Sequence, residues 1–248
     1  MKIIKLFIAC FILSTQNISA QEIKTDSTQK INKNIAKINL IGFSINGQYE
    51  RILSKRVSIA LSYKILPSGK FLFRGLIPMS DPQAKEELDN LIVSNSAITP
   101  EIRFYTGKKG YGQGFYLAPF YRSAKFGGKG IGIDFTLDNG RSATFNMEGD
   151  IKSSTFGLLI GAQWKLGKRF WLDWQILGPH YGSAKGNIIG NSTISLSANE
   201  QTSLRNALLD INIPFTNEKV TVEANRAILN LNGPWAGLRT GLSLGFSF

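Results

Sequence analysis

Cysteine is nearly absent from this sequence. The one cysteine, Cys10, lies in an apolar segment that we predict to be removed from the mature chain. Without cysteine, the mature chain can form neither a disulfide nor a thiolate metal site. The one histidine, His180, belongs to no cluster of ligating side chains with metal-site spacing. We therefore predict no metal and no cofactor.

Long apolar runs are also absent beyond the first twenty residues. No later segment approaches the ~20 apolar residues of a transmembrane helix. Residues 1–20 have the order of a secretory signal peptide, with two lysines before an apolar run and Ala20 at the cleavage site. We expect residues 21–36 to be a polar tether and residues 37–248 to be a single domain. If that domain lies in a membrane it must be a closed barrel, because lipid cannot satisfy the edges of an open sheet.

Acidic residues are scarce relative to basic ones. Asp and Glu number 17 against 29 Lys and Arg, which gives a net charge of +12. A basic surface can indicate nucleic-acid binding, but a secreted protein rarely meets nucleic acid. We therefore predict no nucleic-acid partner. The expected partners are outer-membrane lipid head groups and lipopolysaccharide phosphate.

A long alternation of side chains is present, and it is clearest in residues 235–248. Because side chains on a strand alternate between faces, one face of this segment is apolar and the other is small or polar. This is typical of a barrel strand between lipid and a crowded lumen, and a strand of a soluble sandwich is the alternative. The segment resembles the closing strand of bacterial outer-membrane proteins, whose terminal Phe is read by the barrel-assembly machinery. The resemblance implies an assembly signal on the apolar face, comprising Leu242, Leu244, Phe246 and Phe248.

Similar alternation recurs along the chain and predicts seven clear crossings of the membrane. Short turns lie on one side of these crossings and long, helix-bearing loops on the other. The short turns are 54–56, 107–113 and 167–169, and the long loops are 66–96 and 186–234. In the second loop, Ser197 and Glu200 match a capping box, and Leu204, Leu208 and Ile211 form an apolar stripe. This pattern predicts a helix docked on the loop or on the barrel rim.

Closure of a bacterial barrel normally needs an even number of strands, so one more crossing is expected. It lies either within residues 30–47, with Asn46-Gly47 as a turn, or within residues 219–231. The predicted fold is all-β: a small antiparallel transmembrane β-barrel of eight strands with helix-bearing loops. The predicted location is the outer membrane.

The same assignment of faces turns eight charged side chains toward the lumen. An eight-stranded barrel encloses an interior just wide enough for side chains, and an isolated charge there is costly. We therefore predict a salt-bridged plug, and a polar path for ions or a small solute is the alternative. The predicted lumen charge network comprises Glu50, Lys64, Glu101, Arg103, Arg122, Lys165, Asp173 and Arg239.

His180 and Ser183 are the candidates for catalysis. A histidine with a nearby serine and a carboxylate can form a hydrolytic site. The pair resembles the His and Ser that lipid A 3-O-deacylases carry on the lipid-facing wall of a barrel. Residues three apart fall on opposite faces of a strand, however, unless Gly182 forms a bulge. The favoured interpretation is an interfacial histidine at the end of a strand.

Three segments resemble the DUF3575 (domain of unknown function) outer-membrane barrels of Bacteroidetes. They are Gln48-Tyr49-Glu50-Arg51, the segment from Gly161-Ala162-Gln163-Trp164 to Gly182, and Gly233-Pro234-Trp235-Ala236-Gly237-Leu238-Arg239. The resemblance implies a small barrel of about eight strands and no established biochemical role. We therefore predict a non-catalytic outer-membrane barrel of structural or surface-binding role. A lipid A-modifying hydrolase and a narrow pore are the alternatives.

Overall fold

The structure is a computed structural model of the chain. It describes residues 32–40, 44–70, 89–136, 140–210 and 216–248, which belong to one compact unit, Asn32–Phe248. The predicted signal peptide lies outside the described residues, and so do most of the predicted tether and much of the loop at 66–96.

Strands dominate the described part of the chain, and one helix lies in the last long loop. The strands are β1 (Asn34–Asn39), β2 (Ile45–Ile52), β3 (Val57–Lys70), β4 (Ile92–Tyr105), β5 (Gly114–Thr136), β6 (Ser142–Lys165), β7 (Phe170–Ser192), β8 (Asn217–Val222) and β9 (Arg226–Ser247), and helix α1 is Ala198–Leu209. None of the helices in the described ranges has the length and apolarity that a membrane crossing requires.

Eight antiparallel strands form a closed ring in the order β1-β2-β3-β4-β5-β6-β7-β9, which β1 closes by pairing with β9. The predicted eight-stranded all-β barrel is therefore confirmed. The eighth crossing is β1, which begins at Asn34, inside the segment predicted as a tether. Asn46-Gly47 lies within β2 and is not a turn. Residues 219–231 form β8 and the start of β9, a hairpin beyond the ring.

The alternation of faces follows the sequence pattern along most strands. On β9, Leu244 and Phe246 are exposed, as is Phe248 directly after it, whereas Arg239 and Ser243 are buried. An outward apolar face and an inward polar face are the reverse of a water-soluble core. The hydrophobic effect in water therefore does not explain the outer surface of this barrel.

One assignment of faces, on β7, is wrong beyond Gln175. A strict alternation after Trp174 would place Ile176 on the outward face, but the register shifts there against both neighbouring strands, and Leu177 is the exposed residue. A β-bulge places an extra residue in one strand and so inverts the alternation that follows it. As a result His180 turns inward, where it contacts the Phe120 ring.

The short-turn end of the barrel is closed by packed side chains. Gly110, Tyr111 and Gly112 have positive φ values of 65°, 50° and 80°, and the Tyr111 amide donates to the Lys55 carbonyl at 2.8 Å. The 107–113 turn thereby contacts the turn at 54–56. Tyr111 also packs against the buried cluster of Ile35, Ile52 and Trp171. This cluster forms an apolar base to the lumen.

At the other end, β5, β6 and β7 extend to 23, 24 and 23 residues, compared with 14 in β3 and β4. Helix α1 packs on this extension through Leu204, beside Ala143 and Phe145. The predicted capping box is confirmed, because Ser197 Oγ accepts from the Glu200 amide and Glu200 Oε2 accepts from the Ser197 amide at 2.7 Å. The predicted stripe continues to Ile211, which lies outside the described residues.

Candidate functional site

A network of charged side chains crosses the barrel interior. Its centre is Arg103 of β4, whose Nε lies 2.6 Å from Glu101 Oε1. Arg103 Nη1 lies 2.7 Å from Asp173 Oδ2 and 3.3 Å from Glu50 Oε2. All four side chains are completely buried. Because a buried charge is costly unless it is paired, these contacts tie β2, β4 and β7 together.

Lys37 of β1 is a further cation in this network, one that was not predicted from the sequence. Its Nζ lies 2.6 Å from Asp173 Oδ2, forms an ion pair with Glu50 and donates a hydrogen bond to Gln163 Oε1. In the sequence, polar Lys37 is followed by apolar Ile38, and this alternation could have indicated that Lys37 points inward. In the structure, Lys37 is buried and Ile38 is exposed. β1 has only six residues, however, and so few positions give a weak period-two signal.

Arg239 of β9 completes the network on its loop-side edge. It forms an ion pair with Glu101 and donates to Ser62 Oγ at 3.2 Å. Its guanidinium carbon also lies 5.3 Å from the centroid of the Phe120 ring, within cation–π range. The network thus has equal numbers of cations and carboxylates, namely Lys37, Arg103 and Arg239 with Glu50, Glu101 and Asp173.

Neutral polar groups satisfy the remaining acceptors of the carboxylates. The Tyr105 hydroxyl donates to Glu50 Oε1 and the Tyr116 hydroxyl donates to Asp173 Oδ1, each at 2.7 Å. Tyr116 has room because it faces Gly161, where an added Cβ would lie 2.3 Å from the tyrosine Cζ. These tyrosines could not be predicted from the sequence, since an inward tyrosine has no pattern that separates a network member from a space-filling side chain.

Three of the predicted network residues lie apart from this cluster. Arg122 turns inward, and its Nη1 lies 3.2 Å from Thr99 Oγ1. Lys165 lies near the short-turn end, with its Nζ 5.9 Å from the centroid of the Trp171 ring. Lys64, the third, is half-buried on β3, where it pairs in register with Asn46 and Ala97. The structure therefore brings together five of the eight predicted residues.

Two aromatic rings meet across the lumen above the charged cluster. Phe126 of β5 and Trp235 of β9 have ring centroids 5.2 Å apart. These strands are not neighbours in the sheet, so the contact spans the mouth of the barrel. Below it, His180 packs edge-on against Phe120 with centroids 6.0 Å apart.

The structure does not bring His180 and Ser183 together. His180 lies opposite Gly157 and Gly237 on the inward face, whereas Ser183 is exposed on the outward face. The bulge lies before His180 and not at Gly182, so the two side chains remain on opposite faces. A proton could not pass directly between them, because base and nucleophile must be within hydrogen-bond reach.

No three histidine, cysteine or carboxylate side chains form a metal-ligand group in the described ranges. The carboxylates of the lumen are already engaged by cations. This arrangement is suited to holding the barrel closed by charge pairing.

The outward surface carries aromatic side chains at two heights. Tyr121, Phe156 and Tyr181 form the upper aromatic row, which crosses β5, β6 and β7 on the side nearer the long loops. Trp164 and Trp174 are exposed in a lower row, nearer the short turns. Aromatic rows at two levels with aliphatic residues between them are characteristic of barrels in a bilayer.

No protein-family model matches this chain, and no curated protein does. Among solved structures, the crystal structure of Acinetobacter baumannii CarO aligns with 84% of this chain and 100% of its own, at 14% identity and a TM-score of 0.37. The resemblance to the DUF3575 barrels stays a prediction.

Proposed function

We propose that this chain is a non-catalytic outer-membrane β-barrel with a sealed lumen and a structural or surface-binding role. The observation that carries the proposal is the neutral, buried network of three cations and three carboxylates across the lumen. An eight-stranded ring leaves an interior that side chains can fill. A filled interior favours sealing over conduction.

The exposed apolar band supports insertion into a bilayer. Phe156, Tyr181 and Leu238 are 70%, 65% and 60% exposed to solvent in the isolated chain. Along β6, the eight residues between the aromatic rows at Phe156 and Trp164 span about 26 Å at ~3.3 Å per residue. With a strand tilt of ~40° this is about 20 Å along the barrel axis, close to the ~25 Å apolar band of outer-membrane barrels.

Layers at both ends support a closed lumen. The cluster of Ile35, Ile52 and Trp171 lies at the short-turn end, and Phe126 contacts Trp235 at the other. Ions would have to pass both apolar layers and the paired charges between them. The narrow-pore alternative would require all three layers to open.

The proposed orientation follows the lengths of the connections. Bacterial barrels have short periplasmic turns and long outer loops, so α1 and the long ends of β5, β6 and β7 would project from the cell surface. A cavity of about 310 Å³ lies between α1 and this extension, lined by Phe145, Ile188, Leu204 and Leu229. Loops and extensions of this kind are where a rigid barrel presents recognition surfaces.

The separation of His180 from Ser183 argues against the hydrolase alternative. A mass-spectrometric comparison of lipid A from cells with wild-type protein, His180→Ala protein or no protein tests it. We expect identical lipid A in all three. A difference of one acyl chain that is lost in His180→Ala, at equal amounts of folded protein, would instead establish the hydrolase.

Two experiments test the main proposal. Cell fractionation should find the chain in the outer membrane, with a gel mobility that changes on heating, and recovery as a soluble periplasmic protein would refute it. In planar bilayers the wild type should give no steady conductance. A Phe126→Ala, Trp235→Ala variant should also give no steady conductance. It removes the aromatic contact at the mouth, but the intact charge network still fills the lumen. Steady conductance of the wild type would establish the pore.

A further inference from the structure

Three lysines lie side by side on the outward face of the sheet. Lys125 of β5 pairs in register with Lys152 of β6, and Lys152 pairs with Lys185 of β7. All three are exposed. We call this set the lysine row. Asn232 of β9 continues it, opposite Lys185.

The lysine row is unfavourable for the isolated chain. Side chains directly opposite on antiparallel strands have Cβ atoms only ~5 Å apart, and like charges there are destabilising. Among the described residues, no carboxylate forms an ion pair with any of the three ammonium groups. Asp150, the nearest acidic residue on this face, lies one outward position further along β6. An external anion would relieve the repulsion.

The height of the lysine row matches that of lipid phosphates. Lys125 follows Tyr121 of the upper aromatic row by four residues on the same strand. This is about 13 Å along the strand at ~3.3 Å per residue, and about 10 Å along the axis at a tilt of ~40°. Aromatic girdles lie at the edge of the hydrocarbon, so the row lies among the head groups.

An apolar groove lies below one end of the lysine row. Its volume is about 600 Å³, and its outward lining includes Ile59, Leu61, Pro100, Ile102 and Pro119. The two prolines belong to the neighbouring strands β4 and β5, and a proline cannot donate a ladder hydrogen bond.

The groove ends at the upper aromatic row. Tyr121 and Phe156 also line it, and their ring centroids lie 5.0 Å apart. These residues lie directly below Lys125 and Lys152 on the same strands. The groove and the row therefore form one continuous surface, with an apolar part below and a cationic part above.

We infer that this surface binds lipid A, the phosphorylated lipid anchor of lipopolysaccharide, with a phosphate on the lysine row and an acyl chain in the groove. The inference rests on the proposed orientation in the outer membrane. An anionic phospholipid shares the phosphate and the acyl chains. The long-loop side assigns the site to the outer leaflet, where lipid A is the phosphorylated lipid.

The test uses the full chain folded in a neutral detergent. The row variant is Lys125→Gln, Lys152→Gln, Lys185→Gln. The matched control is Lys55→Gln, Lys108→Gln, Lys168→Gln, which removes the same charge from exposed lysines at the short-turn end. Binding of purified lipid A is measured by native mass spectrometry. We expect about 100-fold weaker binding for the row variant, from roughly fivefold for each lysine, and no change for the control.

Three further measurements complete the test. Ile102→Trp, which fills the groove, should weaken binding of lipid A at an unchanged heat-modifiable mobility. Dephosphorylated lipid A should bind the wild type and the row variant equally. Without lipid, the row variant should unfold at a higher temperature than the wild type because the like charges are gone.

Equal lipid A affinity of the row variant and the wild type would overturn the inference. An equal loss with phosphatidylglycerol would overturn the assignment to lipid A in favour of anionic lipids in general. These outcomes are distinct from failure of the proposed function, because fractionation reports the membrane location and conductance reports the sealed lumen, both independently of lipid binding.

Discussion

Replacement of Arg103 by methionine should destabilise the barrel strongly. Arg103 contacts Glu50, Glu101 and Asp173, and none of these side chains is accessible to solvent. The Arg103→Met variant leaves three carboxylates with two cations in the lumen. Removing one partner of a buried ion pair costs about 3–5 kcal/mol. The equilibrium constant for unfolding should therefore rise by roughly 10²–10⁴-fold.

A second substitution should recover part of this loss. Asp173→Asn alone leaves an excess cation and should also destabilise the barrel. The double variant Arg103→Met, Asp173→Asn is neutral and keeps the pairs Lys37–Glu50 and Arg239–Glu101. The two substitutions should therefore destabilise less together than the sum of their separate effects, by about 1–3 kcal/mol.

The assay is urea unfolding of the barrel in lipid vesicles, followed by tryptophan fluorescence and by heat-modifiable mobility. Arg226→Met is the control, because Arg226 forms an exposed ion pair with Glu223 at 2.9 Å. Exposed pairs contribute little to stability, so its free energy of unfolding should match that of the wild type. Additive effects of the two lumen substitutions, or a loss for Arg103→Met as small as for the control, would refute the role of the network.

Three more substitutions test other parts of the structure. Ile160→Arg puts a cation on the lipid-facing side of β6, midway between Phe156 and Trp164, and should lower the free energy of unfolding in vesicles by about 2–4 kcal/mol; an unchanged value would reject the membrane placement of β6. Gly161→Ala should destabilise by about 1–3 kcal/mol because its methyl group meets Tyr116, whereas Gly47→Ala, with open space around it, should not. Leu204→Ala should remove hydrogen-exchange protection from α1 while the ring strands keep theirs, and equal loss in both would contradict the separate packing of the helix.

The alternation of side chains was enough to predict most of the barrel. It located seven crossings, the short turns and the inward direction of Glu50, Glu101, Arg103, Asp173 and Arg239. A strand with one face toward lipid must alternate strictly, because a slip of one residue exchanges the two faces. The helix start at Ser197 was likewise a local property, since the capping box involves only residues three positions apart.

The tertiary structure decided what depends on pairing between distant strands. The inclusion of β1 in the ring follows from its register with β2 and β9, and that register brings Lys37 to Glu50 and Asp173. A six-residue strand has too few positions to show its period, and ring closure is a property of the whole sheet. The bulge in β7 is similar, because an extra residue is visible only against its partners. It turned His180 into the lumen and Ser183 to the outside, whereas their spacing of three residues already puts the two on opposite faces.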